Sequence, residues 1–307
     1  MVINIGVIGY SEGNGHPFSF SAILNGYSNE GFRQSGWDVI YNYIRQRDPS
    51  EFGIMNARVS HVWTQDAEIT KRISHACFIE NCVSDLHEMI DQVDAVIIAR
   101  DDHENHYEMA MPFLESGKHV FIDKPLTLDI EELRAFKPYL DNGQLMSCSG
   151  MRYAKELDSL RCNLDAYGSI KVIRGAVLNS WDKYGIHLID AILSFYTKKP
   201  VEISCLDTNH ESVSIRMEDD SLIQIDALGQ TSKIFRIDIF ATDRHGSFDI
   251  TDNFSMFRRM LWHFVNQVAT GKRALQTEDI MNTLKIMIAG KIALSERRKV
   301  KIDEIVV

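Results

Sequence analysis

Residues Gly117–Leu133, GKHVFIDKPLTLDIEEL, place a lysine at the end of a short apolar run, and that run decides how the chain folds. His119-Val120-Phe121-Ile122 has the length and composition of a fully buried strand. Gly117 stops the helix before it, and Pro125 cannot continue a central strand. In open α/β sheets ligands bind outside the carboxyl ends of the strands, so Lys124 is a candidate catalytic group there, held by a cis Lys124–Pro125 bond. The plain alternative is a solvated lysine in a strand-to-helix turn.

Working outward, the pattern alternates. Residues 3–8 are an apolar, β-branched strand followed by the glycine loop Gly9–Gly15 and a helical pattern at Phe18–Leu24. Residues 25–56 delay the next strand beyond ordinary βαβ spacing and read as an insertion, with helical spacing at Trp37, Ile40, Tyr41 and Ile44. Further strands follow at Ala57–Trp63, Cys77–Ile79 and Asp94–Ala99. Helices are expected at Glu68–Ile73, Val83–Ile90 and about His103–Ser116, the last interrupted by Pro112. Asp129 and Glu132 form a capping-box pattern for a helix running toward Leu140, bent by Pro138, and Gln144–Cys148 adds a strand. Strands alternating with helices imply a parallel, doubly wound sheet over residues 1–149.

Residues 150–307 read differently. Short strands at Ile170–Leu178, Val201–Leu206, Val213–Met217, Leu222–Ala227, Ile234–Phe240 and Ser247–Ile250, joined by hairpin-like connections, imply an open, mainly antiparallel sheet with one buried face. Helical patterns at Phe257–Thr270 and Ile280–Ser295 complete an α/β second domain.

Composition narrows the function. A 307-residue chain with 45% hydrophobic residues has the size of two domains. Its formal charge of −10 comes without a basic block, which argues against nucleic acid. Five cysteines without a CxxC pair fit reduced thiols in a cytoplasmic protein, with neither a disulfide frame nor a metal site. MVINIGVIGY lacks the basic region of a signal peptide, and no run has membrane-spanning length.

Two constellations carry chemistry. In the first, a glycine turn after the first strand lets backbone amides and a helix dipole meet a pyrophosphate, and Gly9, Tyr10, Ser11, Gly13 and Gly15 are its candidates. Ser11 stands where the second glycine of GxGxxG gives the closest approach. At the end of the second strand the expected ribose-binding acid is missing: Thr64 replaces it or Asp66 reaches back, which leaves NAD and NADP both open. Ala99 at the end of the fourth strand, Arg100 and His106 after it, and Asp123 and Lys124 after the fifth complete the cofactor candidates. The second constellation is Trp181–Asp190, where His187 and Asp190 lie three apart on a predicted helix and Lys183 lies one turn earlier beside Asp182. Lys124, His187, Lys183 and Asp182 are the candidate catalytic residues. A lone histidine on such a helix is usually structural. With a glycine loop and a strand-end lysine, it supplies the proton transfer that hydride chemistry needs.

Together these residues resemble the Gfo/Idh/MocA family, the group of glucose-fructose oxidoreductase and inositol dehydrogenase. The resemblance is carried by INIGVIGY, DAVIIARDDHENHYEMA, GKHVFIDKPLTLDIEEL and the closing FRRMLWHFVNQVATGKRALQTEDIMNTLKIMIAGKIALSERRKVKI. The family's Glu-Lys-Pro signature reads Asp123-Lys124-Pro125, and its Gly-x-His-x-x-Asp segment reads Gly185–Asp190. The resemblance implies a Rossmann domain, NAD or NADP, and a sugar, nucleotide-sugar or cyclitol as substrate. It also implies a lysine touching nicotinamide ribose and reacting hydroxyl, an acid or base at His187, and a homodimer or homotetramer. Lys183 stands where the family often has an aspartate and suits an anionic substrate group. Arg100-Asp101 replaces the usual Thr-Pro, and Arg152 matches a common arginine whose plain role is an interdomain ion pair. The rival readings are an NAD-dependent redox glycosidase and a non-catalytic NAD(P)-binding sensor.

Overall fold

Six strands pair into one all-parallel sheet in the computed structural model, which describes residues 2–307. They are β1 (Ile3–Ile8), β2 (Ala57–Trp63), β3 (Asn81–Cys82), β4 (Ala95–Ile98), β5 (His119–Ile122) and β6 (Leu145–Ser147), in the order β3-β2-β1-β4-β5-β6. The winding reverses between β1 and β4, the switch point where such sheets open a crevice at their carboxyl ends. β4 is buried at every position and β5 from Val120 onward, because helices cover both faces of a parallel sheet.

The helices of this part are α1 (His16–Asn25), α2 (Asn29–Gln34), α3 (Asp38–Ile44), α4 (Ala67–Cys77), α5 (His106–Glu115) and α6 (Ile130–Asp141). Two expectations are corrected here. Cys77–Ile79 is no strand: α4 continues through the buried Ile73, Ala76 and Cys77 and ends at Phe78 in the left-handed conformation. The strand that follows is the exposed pair Asn81–Cys82. Val83–Ile90 is not an α-helix either, but a single 3₁₀ turn at Leu86–Met89, opened by a capping box of Asp85 and Glu88. Within residues 25–56, α2 is capped by Ser28, whose side chain accepts the Gly31 N–H.

The second sheet contains β7 (Ile170–Val177), β8 (Pro200–Leu206), β9 (Glu211–Met217), β10 (Leu222–Ala227), β11 (Phe235–Ala241), β12 (His245–Asp249) and β13 (Val300–Lys301). Its order is β12-β11-β7-β10-β9-β8-β13, and only the β7–β10 pair is parallel. The hairpin expectation fails at two steps: β7 and β8 are not neighbours and are joined through Ile186–Leu193, and β10 does not turn back onto β11. β7 lies between β10 and β11, so that connection crosses a strand instead of turning back on its neighbour. Helices α7 (Asp158–Asn163) and α8 (Ile186–Leu193) precede the sheet's main run, and α9 (Asn253–Thr270) and α10 (Thr277–Glu296) follow it. Trp181 is fully buried and donates its indole N–H to the Met287 carbonyl of α10 at 3.0 Å. A Cβ at Gly290 would lie 2.4 Å from that indole, so α10 approaches Trp181 only with glycine there.

The chain forms two compact units. One takes the chain to Thr127, Glu132–Cys148 and Asn253–Gln276; the other takes Leu128–Glu131, Ser149–Asp252 and Thr277–Val307. A division at 149/150 in the sequence falls beside the crossing at Cys148/Ser149 but does not separate α9, which belongs to the first unit. Long-range aromatic contacts explain its place: Phe254 packs edge-on to Phe52 at 5.2 Å and Phe257 to Phe20 at 5.2 Å. Among the described residues no helix is long and apolar enough to cross a membrane.

Candidate active site

The loop after β1 is built for close approach. Gly9 and Gly13 adopt φ of 84° and 81°, a region that favours glycine, and a Cβ at Gly13 would meet no atom within 4 Å. That open backbone, at the start of α1 and at the sheet's switch point, fits a dinucleotide's pyrophosphate. Gly15 serves packing instead, since a Cβ there would lie 2.4 Å from Ile40 and 2.7 Å from Trp37. The insertion therefore supports the glycine loop from behind. Tyr10 is held through its backbone, its N–H donating to Gln65 Oε1 at 3.2 Å.

Three loops converge around Lys124. The Ser11 hydroxyl donates to Asp101 Oδ1 at 2.6 Å, and the other oxygen of Asp101 lies 3.7 Å from Lys124 Nζ. Lys124 is buried and its bond to Pro125 is cis. A lysine merely solvated in a turn is thereby set aside. Asp123, also buried, accepts from the Lys124 N–H at 2.9 Å and from Asn14 Nδ2 at 3.3 Å, and lies 2.5 Å from His16 Nδ1. Burial pushes the Asp123 carboxyl up, but His16 and then Lys124 outweigh it and hold its pKa well below the carboxylate range. His16 in turn stacks on Phe20 at 4.8 Å and meets Phe257 edge-on at 4.9 Å. The sequence reading missed His16 and Asn14, although GNGHP places both in the turn that opens α1.

Other cofactor candidates make bonds within the first unit. Asp66 caps α4, its Oδ1 accepting from Glu68 and Ile69 N–H at 2.8 and 3.2 Å. Thr64 is buried, and its hydroxyl donates to the Asp66 carbonyl at 2.6 Å. Arg100 runs over Gly9, where a Cβ would lie 2.6 Å from its Cδ, and forms a two-pronged ion pair with Asp102. Ala99 is fully buried. So is His106, whose Nδ1 and Nε2 lie 3.0 and 2.9 Å from the carbonyls of Leu126 and Arg100. A buried imidazole so placed ties the loop after β4 to the loop after β5; it presents no atom to a ligand.

Burial pulls the His106 pKa below its ordinary value, against the opposing pull of the two carbonyls. The unfolded chain therefore binds the proton first, and stability falls as pH drops through the unfolded histidine value of about 6.5. His61 and His119, lowered mainly by burial, act in the same direction. Denaturant midpoints should fall between about pH 7 and about pH 5, and less steeply in His106→Gln, which does not titrate. Equal slopes in the two proteins would contradict this account.

The second unit holds the other constellation. Trp181–Gly185 forms a π-helical turn leading directly into α8. His187 is buried, with Nδ1 2.7 Å from the Ser149 hydroxyl. Tyr184 and Phe235 stack on each other at 5.9 Å and meet the imidazole edge-on at 5.3 and 5.9 Å. Asp190, buried one turn on, accepts from Ser149 N–H at 2.7 Å and from Arg152 at 2.8 Å, and Arg152 also reaches Asp279 at 3.0 Å. Burial draws the guanidinium's pKa down, but Asp190 above all pushes it above its ordinary value, so Arg152 stays charged. Arg152 thus serves an ion-pair network within its own unit.

Lys183 and Asp182 do not join His187 in this way. Lys183 is exposed on the π turn, and Asp182 pairs with Lys291 of α10 at 3.2 Å. Ser149 and Phe235, which do border the imidazole, carried no sequence signal, since each depends on tertiary pairing.

Comparison with known proteins agrees with this layout. Residues 3–148 match the family described as GFO_IDH_MocA, oxidoreductase family, NAD-binding Rossmann fold. No curated protein sequence matches the chain. Among solved structures, scyllo-inositol dehydrogenase from Lactobacillus casei with bound NAD(H) and scyllo-inositol superposes with a TM-score of 0.78 at 16% identity, covering 99% of this chain and 100% of that one. Myo-inositol 2-dehydrogenase from Lactobacillus plantarum gives 0.78 at 17% identity, covering 98% and 99%. A probable dehydrogenase from Thermotoga maritima gives 0.75 at 18%, covering 99% and 100%. At such identities these likenesses establish the fold.

Proposed function

We propose, from a first unit that belongs to the Gfo/Idh/MocA family of NAD-binding oxidoreductases, that the chain is an NAD-dependent dehydrogenase oxidising a secondary alcohol of a cyclitol or sugar. The observation that carries this reading is the buried Lys124 ammonium at the carboxyl end of β5, linked through Asp101 and Ser11 to the glycine loop. Gly9, Gly13 and the opening of α1 would hold the pyrophosphate, and the bound nicotinamide would supply the hydride acceptor. Thr64-Gln65-Asp66 contains no cation for a 2′-phosphate, which favours NAD over NADP.

In this reading Lys124 stabilises the alkoxide that develops as the hydroxyl loses its proton, and His187 receives that proton. The aromatic pair Tyr184 and Phe235 limits water around the imidazole. Two of the similar structures are named as inositol dehydrogenases, which supports a polyhydroxylated ring as substrate class.

The test is direct: incubate the purified chain with NAD⁺ and a panel of inositols, sugars and sugar acids, and follow NADH formation. Turnover on a cyclitol or sugar supports the proposal. NAD binding without turnover on any of them would favour a sensor, and net hydrolysis without accumulated NADH would favour a redox glycosidase.

A further inference from the structure

We infer that Ser149 is the positioning residue for His187, fixing its ring through Nδ1 so that Nε2 is the nitrogen that exchanges the substrate proton. The inference rests on the proton-transfer role proposed above for His187 and adds the device that aims it. Ser149 is fully buried at the junction where the chain enters the second unit. Its backbone N–H is fixed on Asp190 Oδ2 at 2.7 Å, and its hydroxyl sits 2.7 Å from His187 Nδ1 while accepting the Met151 N–H at 3.2 Å. Both ends of one residue thus address the same helix, α8, three residues apart.

The acidic groups on and beside α8 have partners of their own. Asp190, on the histidine's own helix, is engaged by Arg152 and the Ser149 N–H, and Arg152 is shared with Asp279 from α10. Asp182 is paired with Lys291, and Lys183 is exposed. From β11 and the π turn, the imidazole meets the rings of Phe235 and Tyr184.

A hydroxyl partner differs chemically from a carboxylate one. After accepting from Met151, the serine oxygen has a lone pair left for Nδ1–H, the proton that the ring keeps while Nε2 gains or loses its own. That one acceptor therefore holds the ring in both of its protonation states. A carboxylate would favour the imidazolium and raise its pKa. The imidazole stays oriented as base in one direction of reaction and as acid in the other.

The experiment compares Ser149→Ala, Ser149→Thr and His187→Gln with the unmutated protein by steady-state kinetics and by ¹⁵N-histidine spectra, in which the signal lost in His187→Gln identifies the ring. We expect the Nδ1–H tautomer to dominate for the neutral His187 ring in the unmutated protein, a measurement that needs no variant to fold. Ser149→Ala should convert it to an exchanging mixture, lower kcat about tenfold to a hundredfold with KM nearly unchanged, and shift the acid limb of the pH profile. Ser149→Thr, which keeps the hydroxyl, should restore the single tautomer and most of the rate. A dominant Nε2–H tautomer or an exchanging mixture in the unmutated protein, or a Ser149→Ala variant with unaltered tautomer and pH profile, would overturn the inference. If His187→Gln itself keeps full turnover, the proposed role of the histidine fails instead, and the tautomer measurement still decides the Ser149 contact.

Discussion

Lys124→Met should lower kcat by about 10²–10⁴-fold while NAD binding, followed by fluorescence titration, changes little. The side chain is buried at the carboxyl end of β5, and its ammonium lies 3.7 Å from Asp101. Methionine fills nearly the same volume without a charge, so packing around β5 is largely retained. What disappears is a positive charge where negative charge would grow on the substrate oxygen. An interaction made mainly in the transition state appears in kcat and in kcat/KM, not in cofactor affinity. Lys124→Arg should not rescue, because a planar guanidinium on a longer stem cannot occupy a buried site shaped for a compact ammonium. A Lys124→Met enzyme with ordinary turnover would remove the lysine from the chemistry, and lost NAD binding would make it a cofactor ligand alone.

The parts of this molecule that were legible in its sequence are those governed by local pattern. Val120–Ile122 and Ala95–Ile98 are buried on both faces, so each appears as a continuous apolar run whose type needs no knowledge of its neighbours. The same holds for the turn after β1, where glycines mark a backbone that must bend. Where competing signals overlap, pattern fails. Phe78-Ile79 is apolar enough to suggest a strand, yet the buried stripe of α4 runs through Cys77 and the helix wins. Likewise the sequence shows β10 and β11 as neighbours, and nothing in either strand announces that β7 will lie between them.

The candidate site divides along the same line. Lys124 and His187 were readable because each sits in a short motif, whereas the groups that hold them come from distant positions. His16 reaches Asp123 across 107 residues and Ser149 reaches His187 across 38. Asp66 and His106 were readable as polar groups beside a cofactor loop, but their bonds are local to the scaffold: one caps α4, and the other ties two loop carbonyls. Spacing reveals which residues stand near an edge of the sheet. It does not reveal which bonds each of them already makes within the fold.

His187→Ala should also lose about 10²–10⁴-fold in turnover, and it should do so in a way that Lys124→Met does not. If the imidazole accepts the substrate proton during oxidation, only its neutral form is competent, so the unmutated enzyme's kcat/KM declines on the acid side of the histidine's kinetic pKa. The alanine enzyme has no such group, and that limb should vanish while the residual rate follows hydroxide. Lys124→Met should keep the limb at a lower height. Added imidazole should partly restore the alanine variant, because truncation leaves a gap bordered by Tyr184, Phe235 and the Ser149 hydroxyl, which a free ring can occupy. Stability should fall too, by about 1–3 kcal/mol for a buried group removed from its hydrogen bond, so rates are to be compared below both melting transitions. A folded His187→Ala enzyme that retains the acid limb would assign the titration to another residue and return His187 to a purely structural role.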